Sequence, residues 1–215
     1  MCFDPETHVK VTPASGLRPS AQEIWKGVGP LTESALSPEE ARLVTEHGSM
    51  TRLIEELSGV KASISVLRQR ATTLLTDEAL LLSNTVGAYL CREICLSCDD
   101  MPMLVARSVW SDADTVVDKA LSRLGDTSLA KVLFGEDHCA PVSLREVARL
   151  PVSHPLCELV AAAAPGTPVS PALVARRSRY WIGVQPLILT EIFLPALKEL
   201  LRMRLTRNHT SGEMN

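Results

Sequence analysis

Apolar and polar positions along this chain change period several times, and each change marks an element. Ser37-Pro38-Glu39-Glu40 offers an N-cap serine, an N1 proline and a glutamate at the capping-box position. The spacing predicts a helix from there to Gly48. A second helix is expected from Ser49 or Thr51 to about Leu57, with Leu53, Ile54 and Leu57 on its apolar side. Val60–Leu67 alternates and is β-branched, as a strand does. Tyr89–Ser97 and Met103–Trp110 read as two further strands joined by a turn at Cys98-Asp99-Asp100-Met101-Pro102. Asp112–Leu124 is an amphipathic helix closed by Gly125, and a short helix is expected over Leu129–Leu133. Val142–Leu150 is a strand candidate. A short helix at Leu156–Ala164 and a Pro/Gly loop follow. Leu173–Ile182 and Pro186–Phe193 form a final hairpin around Gly183-Val184-Gln185, and Ala196–Leu205 reads as a helix before a ten-residue tail. Hairpin-linked strands with peripheral helices indicate an α+β fold, a single antiparallel β-sheet with helices packed on it.

Strand alternation then assigns faces. Leu90, Arg92, Ile94, Leu96 and Cys98 share one face; Cys91, Glu93, Cys95 and Ser97 share the other. Arg92 is therefore a cation on the more apolar face, where it needs an anion close by. In the last strand, Glu191 lies in a row with Leu187, Leu189 and Phe193. A carboxylate in such a row is desolvated, and a nearby cation is what keeps it charged. Arg92 and Glu191 are thus either a structural ion pair or parts of a site.

Composition narrows the function classes. The chain has 215 residues with 46% hydrophobic and 22% charged positions, enough for one core in one domain. A net charge of −3 and 4% aromatics give no basis for nucleic-acid binding. The N-terminus lacks an apolar signal region, and the longest uncharged run, Leu159–Ala175, is broken by three prolines. No membrane span is expected, and the protein is read as cytoplasmic and monomeric. Cys91, Cys95 and Cys98 have the C-x3-C-x2-C spacing of an iron–sulfur loop, but a strand splits them between faces. Cys95-x-x-Cys98 lacks the second half of a zinc site, His138-Cys139 being a lone pair. Inert thiols in a reducing compartment remain the reading.

Several segments resemble the bacterial chorismate lyase family. Arg176-Arg177-Ser178-Arg179 followed by Pro186-Leu187-Ile188-Leu189-Thr190-Glu191-Ile192-Phe193-Leu194-Pro195 resembles the family's C-terminal signature. Ser49-Met50-Thr51, Leu90-Cys91-Arg92-Glu93-Ile94 with Ala106-Arg107-Ser108-Val109, and Leu124-Gly125-Asp126-Thr127-Ser128-Leu129 resemble its other motifs, in order. The resemblance spans about 35–195, leaving 1–34 as an N-terminal arm and 196–215 as a C-terminal helix and tail. It implies a chorismate-lyase-like fold with an enclosed ligand pocket. It also implies conversion of chorismate to 4-hydroxybenzoate and pyruvate without metal or cofactor, the step that opens ubiquinone biosynthesis.

Carried over, the family's ligand contacts fall on Met50, Arg92, Leu129 and Glu191. Backbone N–H groups at Met50 and Leu129 would hold the ring carboxylate. Arg92 and Glu191 would act at the other end as catalytic residues, Arg92 on the departing oxygen and Glu191 as acid or base. One of Arg107, Arg177 and Arg179 is a candidate for the second carboxylate. The chain departs from the family in its glycine-free Asp99-Asp100-Met101 turn, a displaced hairpin glycine, a long 135–175 segment and both terminal extensions. The alternatives are a non-catalytic domain of the same fold that binds an aromatic acid, and a lyase yielding an isomeric hydroxybenzoate.

Overall fold

The computed structural model describes residues 24–29, 35–82, 87–113, 115–134, 140, 142–167 and 172–212. Most of the 1–34 arm, the His138-Cys139 pair and most of the Pro/Gly loop lie outside them. Seven strands form one antiparallel sheet: β1 (Lys26–Gly27), β2 (Ser63–Ala71), β3 (Tyr89–Cys98), β4 (Met101–Ser111), β5 (Val142–Leu150), β6 (Leu173–Ile182) and β7 (Gln185–Phe193). Their order across the sheet is β1-β5-β6-β7-β4-β3-β2. The helices are α1 (Pro38–Thr45), α2 (Met50–Ser58), α3 (Thr76–Leu81), α4 (Thr115–Ser122), α5 (Ala130–Leu133), α6 (Pro155–Ala163) and α7 (Pro195–Gly212). Among the described residues no helix is long and apolar enough to cross a membrane.

Local chemistry explains most boundaries. Ser37 caps α1, and Glu40 completes the capping box. Burial alone would raise the Glu40 carboxyl, yet Arg149, the Ser37 N–H and Lys198 together hold it below its ordinary value. That carboxylate ties α1 to β5 and to α7. Helix α1 stops at Thr45, three residues before the expected Gly48. Ser49 caps α2, and Gly59 ends it at φ 78°. The β3–β4 turn is two residues long, with Asp99 at φ 47° and Asp100 at φ 60°. Both positions of such a hairpin turn need positive φ, and aspartate is among the few non-glycine residues that accept it.

Five expectations are corrected. Strand β2 begins at Ser63 and runs to Ala71, later than Val60–Leu67, because its polar second half lies on an edge where no apolar alternation is required. Helix α4 is shorter than Asp112–Leu124. Helix α3 has no counterpart in the expected elements, and helix α7 carries on through most of the anticipated tail to Gly212. Lys26-Gly27, within the segment read as an arm, pairs with Val147 and Glu146 of β5.

The sheet is covered on both faces. One face carries the larger apolar layer, where Ile94, Leu104, Trp110, Val174, Leu187 and Phe193 meet α1, α2, α5 and α7. On the other, Cys95, Val105, Ala175 and Ile192 pack on α6. This second face also carries buried charge. Arg107 donates to both Glu78 oxygens and to Glu93. Arg177 bridges Asp77 and Glu146 while lying over the Trp25 ring, whose indole N–H donates to Asp77.

His154 sits beside this network and caps α6, its Nδ1 accepting from the Leu156 N–H at 3.3 Å. Burial pushes its imidazole below the ordinary 6.5, outweighing the attraction of Asp77 and Glu78. The folded state thus prefers neutral His154, whereas the unfolded chain takes up a proton below about pH 6.5. Stability is complete above that pH and is lost as pH falls below it. Chemical denaturation between pH 7.5 and 5 should show this decline, and His154→Asn, which keeps a capping acceptor but cannot titrate, should flatten it.

Candidate functional site

A hollow opens in the larger apolar layer where β4 carries small side chains. Ala106 lies between Ile94 of β3 and Glu191 of β7; Ser108 lies between Arg92 and Leu189. Their neighbours rise around them and leave a small, partly enclosed cavity. Its roof is made by the starts of two helices, Ser49-Met50-Thr51 at α2 and Ser128-Leu129-Ala130 at α5. Leu104, Leu133, Phe134 and Tyr180 complete the wall, with the Phe134 ring set edge-on to Tyr180 at 5.9 Å. Burial, and then the charge of Glu191, pushes the Tyr180 phenol up.

All four residues singled out for the site, Met50, Arg92, Leu129 and Glu191, line this one cavity. Met50 is the first residue of α2, with Ser49 Oγ capping at Arg52. Leu129 directly precedes α5, with Ser128 Oγ accepting from Ala130. The N–H groups of Met50 and Leu129 therefore have no helical acceptor and stand at the roof.

Of the two readings of Arg92 and Glu191, the structural ion pair between them does not form. Arg92 is 2% exposed and donates through Nη2 to the carbonyls of Gly125 (2.7 Å) and Thr127 (3.1 Å). Its Nε has no hydrogen-bond partner. Burial disfavours the Arg92 cation, and Asp126 partly compensates. Glu191 is instead held by Arg176, which donates to Oε2 from Nε (2.8 Å) and from Nη2 (2.5 Å). Arg176 Nη1 donates to the carbonyls of Leu43 (3.1 Å) and Glu46 (2.6 Å), at the end of α1. Each buried guanidinium thus anchors the turn before one of the two roof helices. Across the mouth, the Thr51 and Ser128 hydroxyls lie 2.9 Å apart in a hydrogen bond that joins the two turns.

The three further arginines considered for a carboxylate lie elsewhere. Arg107 and Arg177 belong to the network on the opposite face, and Arg179 donates to Ser143 and to the Leu81 carbonyl. Alternation places odd-numbered positions of β6 away from the cavity. The residue that was missed is Arg176, which shares the cavity face with Tyr180 and pairs with Glu191 across the β6–β7 ladder. Only the two-residue turn seen here, pairing Ile182 with Gln185, sets it opposite Glu191; the three-residue loop read from the sequence does not. Cys91 and Cys95 pack on the far face and Cys98 on the cavity side, all buried free thiols.

Comparison with known proteins adds a family to this geometry. A family model described as chorismate lyase matches residues 23–201. A probable chorismate pyruvate-lyase of Halorhodospira halophila is 33% identical over 160 residues, covering 74% of this chain and 83% of that protein. One of Ralstonia nicotianae is 32% identical over 177 residues, covering 80% and 89%. Among solved structures, PhnF from Mycobacterium smegmatis aligns with a TM-score of 0.48 at 17% identity, covering 71% of this chain and 66% of that one. The C-terminal domain of the histidine utilization repressor from Pseudomonas syringae aligns with a TM-score of 0.45 at 16% identity, covering 63% and 93%.

The hydroxyl pair at the mouth gives a measurable expectation. Thr51→Val should change overall stability by no more than about 1 kcal/mol, the scale of one partly exposed hydrogen bond. It should nevertheless speed amide exchange at Val132, Leu133 and Phe134 several-fold relative to β4, because the α5 turn loses its tie to α2. Equal protection in the variant and the parent chain would mean that the pair bears no closing load.

Proposed function

The chain belongs to the chorismate lyase family, and from that premise we propose that it converts chorismate to 4-hydroxybenzoate and pyruvate. The reaction would open ubiquinone biosynthesis, with the protein acting as a cytoplasmic monomer and needing no cofactor. The observation that carries the reading is the convergence of Met50, Arg92, Leu129 and Glu191 on one buried cavity. Two roof amides, one guanidinium with unspent donors and one carboxylate match a molecule with a carboxylate at one end and an ether and hydroxyl at the other.

In this reading the ring carboxylate accepts from the Met50 and Leu129 N–H groups, the Met50 contact gaining from the dipole of α2. The ring lies on Ala106 and Ser108, small enough to leave it room. The reaction breaks one ring C–O bond and one ring C–H bond. The C–H electrons complete the aromatic ring, and the departing enolpyruvyl oxygen takes the C–O pair. The enolpyruvate then gains a proton at its methylene carbon and becomes pyruvate. Arg92 faces the departing oxygen and balances its growing charge, an arrangement that is strongest in a water-poor cavity. Glu191, the anion of an ion pair whose Oε2 is taken by Arg176, offers Oε1 to the hydroxyl end and serves as base toward the ring proton.

Incubating the purified chain with chorismate, without added metal, and separating the products tests this directly. Equal amounts of 4-hydroxybenzoate and pyruvate are expected. Arg92→Ala should lower kcat by about 10²- to 10³-fold, and Glu191→Gln by about 10²- to 10⁴-fold. Full turnover by Glu191→Gln would remove the base assignment. Intact chorismate beside tight 4-hydroxybenzoate binding would identify a non-catalytic binding domain, and a different hydroxybenzoate would identify a lyase of other regiochemistry.

A further inference from the structure

We infer that Arg176 is a positioning residue that sets both ends of the ligand site at once; the inference rests on the lyase reading above. All three nitrogens of its guanidinium donate to protein acceptors. Nε and Nη2 converge on Oε2 of Glu191, and Nη1 serves the carbonyls of Leu43 and Glu46. The side chain is 1% exposed, and its guanidinium lies over the Phe193 ring at 5.9 Å. Arg176 therefore acts on a ligand through the groups it holds rather than by contact.

At the hydroxyl end, the two donors on Oε2 fix the carboxylate plane of Glu191 and leave Oε1 for the cavity. At the carboxylate end, Nη1 pins the corner between α1 and α2. The Glu46 carbonyl also accepts from Arg145 Nη1 at 2.8 Å, so two strands, β5 and β6, hold the same point. Four residues later the chain presents the Met50 N–H, with the Ser49 cap fixing the first turn of α2 between them. A displacement of the corner displaces that amide. Stability alone does not account for this arrangement, because a well-packed apolar pair in place of a buried ion pair is often as stable. What the guanidinium adds is a fixed geometry between Glu191 and Met50, which approach the ligand from opposite sides.

The test uses the full chain with Arg176→Lys, Arg176→Gln, Glu191→Gln and the double variant Arg176→Gln/Glu191→Gln, each checked for folding by thermal melting. Lysine keeps the charge beside Glu191 but cannot serve Oε2 twice and two carbonyls together. Arg176→Lys is expected to lower kcat for chorismate by about tenfold and to raise KM as well, since misplacement by an ångström is costly in an oriented site. Arg176→Gln should approach the loss seen in Glu191→Gln. The double variant should be no worse than the poorer single one, because the two residues act as a unit. Wild-type kcat and KM in Arg176→Lys, or losses that multiply in the double variant, would overturn the inference. Should the parent chain leave chorismate intact, the lyase reading falls by itself, and calorimetric titration with 4-hydroxybenzoate decides Arg176. A tenfold weaker affinity in Arg176→Lys would then sustain its positioning role. Equal affinities would end it, and no binding by the parent chain would end both readings.

Discussion

Two guanidiniums, Arg92 and Arg176, stand inside an apolar layer, and the architecture around them follows from satisfying them. A buried cation without acceptors is costly enough to unfold a domain of this size. Here the acceptors are largely main-chain carbonyls, at Gly125 and Thr127 for Arg92 and at Leu43 and Glu46 for Arg176. Carbonyls free to accept such bonds occur at helix ends and turns. Each arginine therefore draws a turn down onto the sheet, and a helix begins just beyond each turn. The cavity is the space between those two helix starts and a strand with small side chains. Charge satisfaction and site construction are one event in this fold.

The opposite face solves the same problem differently. Arg107 and Arg177 are equally buried, but their partners are the carboxylates of Glu78, Glu93, Asp77 and Glu146. Those side chains come from α3, β3 and β5, and the result is a closed network under α6 that also gathers the Trp25 segment. Cations matched by carboxylates leave little for a ligand. Cations matched by carbonyls, as Arg92 is, keep a net positive charge in the cavity. That contrast is why the sheet has one polar face suited to binding and one suited to holding the edges together.

Much of this was legible in the sequence. The alternation of β3 and β7 placed Arg92 and Glu191 each in an apolar row, and Ser37-Pro38-Glu39-Glu40 located the start of α1 to the residue. The partner of Glu191 was not legible, for a reason of one residue. A three-residue loop Gly183-Val184-Gln185 would set Arg177 opposite Glu191, whereas the observed two-residue turn pairs Ile182 with Gln185 and Arg176 with Glu191. Register in a hairpin is fixed by loop length, and a slip of one residue exchanges the faces. The late start of β2 was hidden for a different reason. An edge strand in water, with Arg68, Gln69 and Arg70 along it, needs no apolar periodicity. Helix α3 was hidden because its buried residues are Asp77 and Glu78, which read as solvent-facing until their arginine partners are in place.

The floor of the cavity has a consequence of its own. Ala106 and Ser108 create space by what they lack, one beside Glu191 and the other beside Arg92 on the neighbouring strands. The charged side chains that line the cavity come from β3, β6 and β7, while its depth comes from two positions on β4. Depth and charge of the cavity are therefore set by separate residues. A heavier side chain at Ala106 would shorten the chamber from beside Glu191 while adding no charge to it, so the depth of this scaffold and its charge are set at neighbouring but different positions.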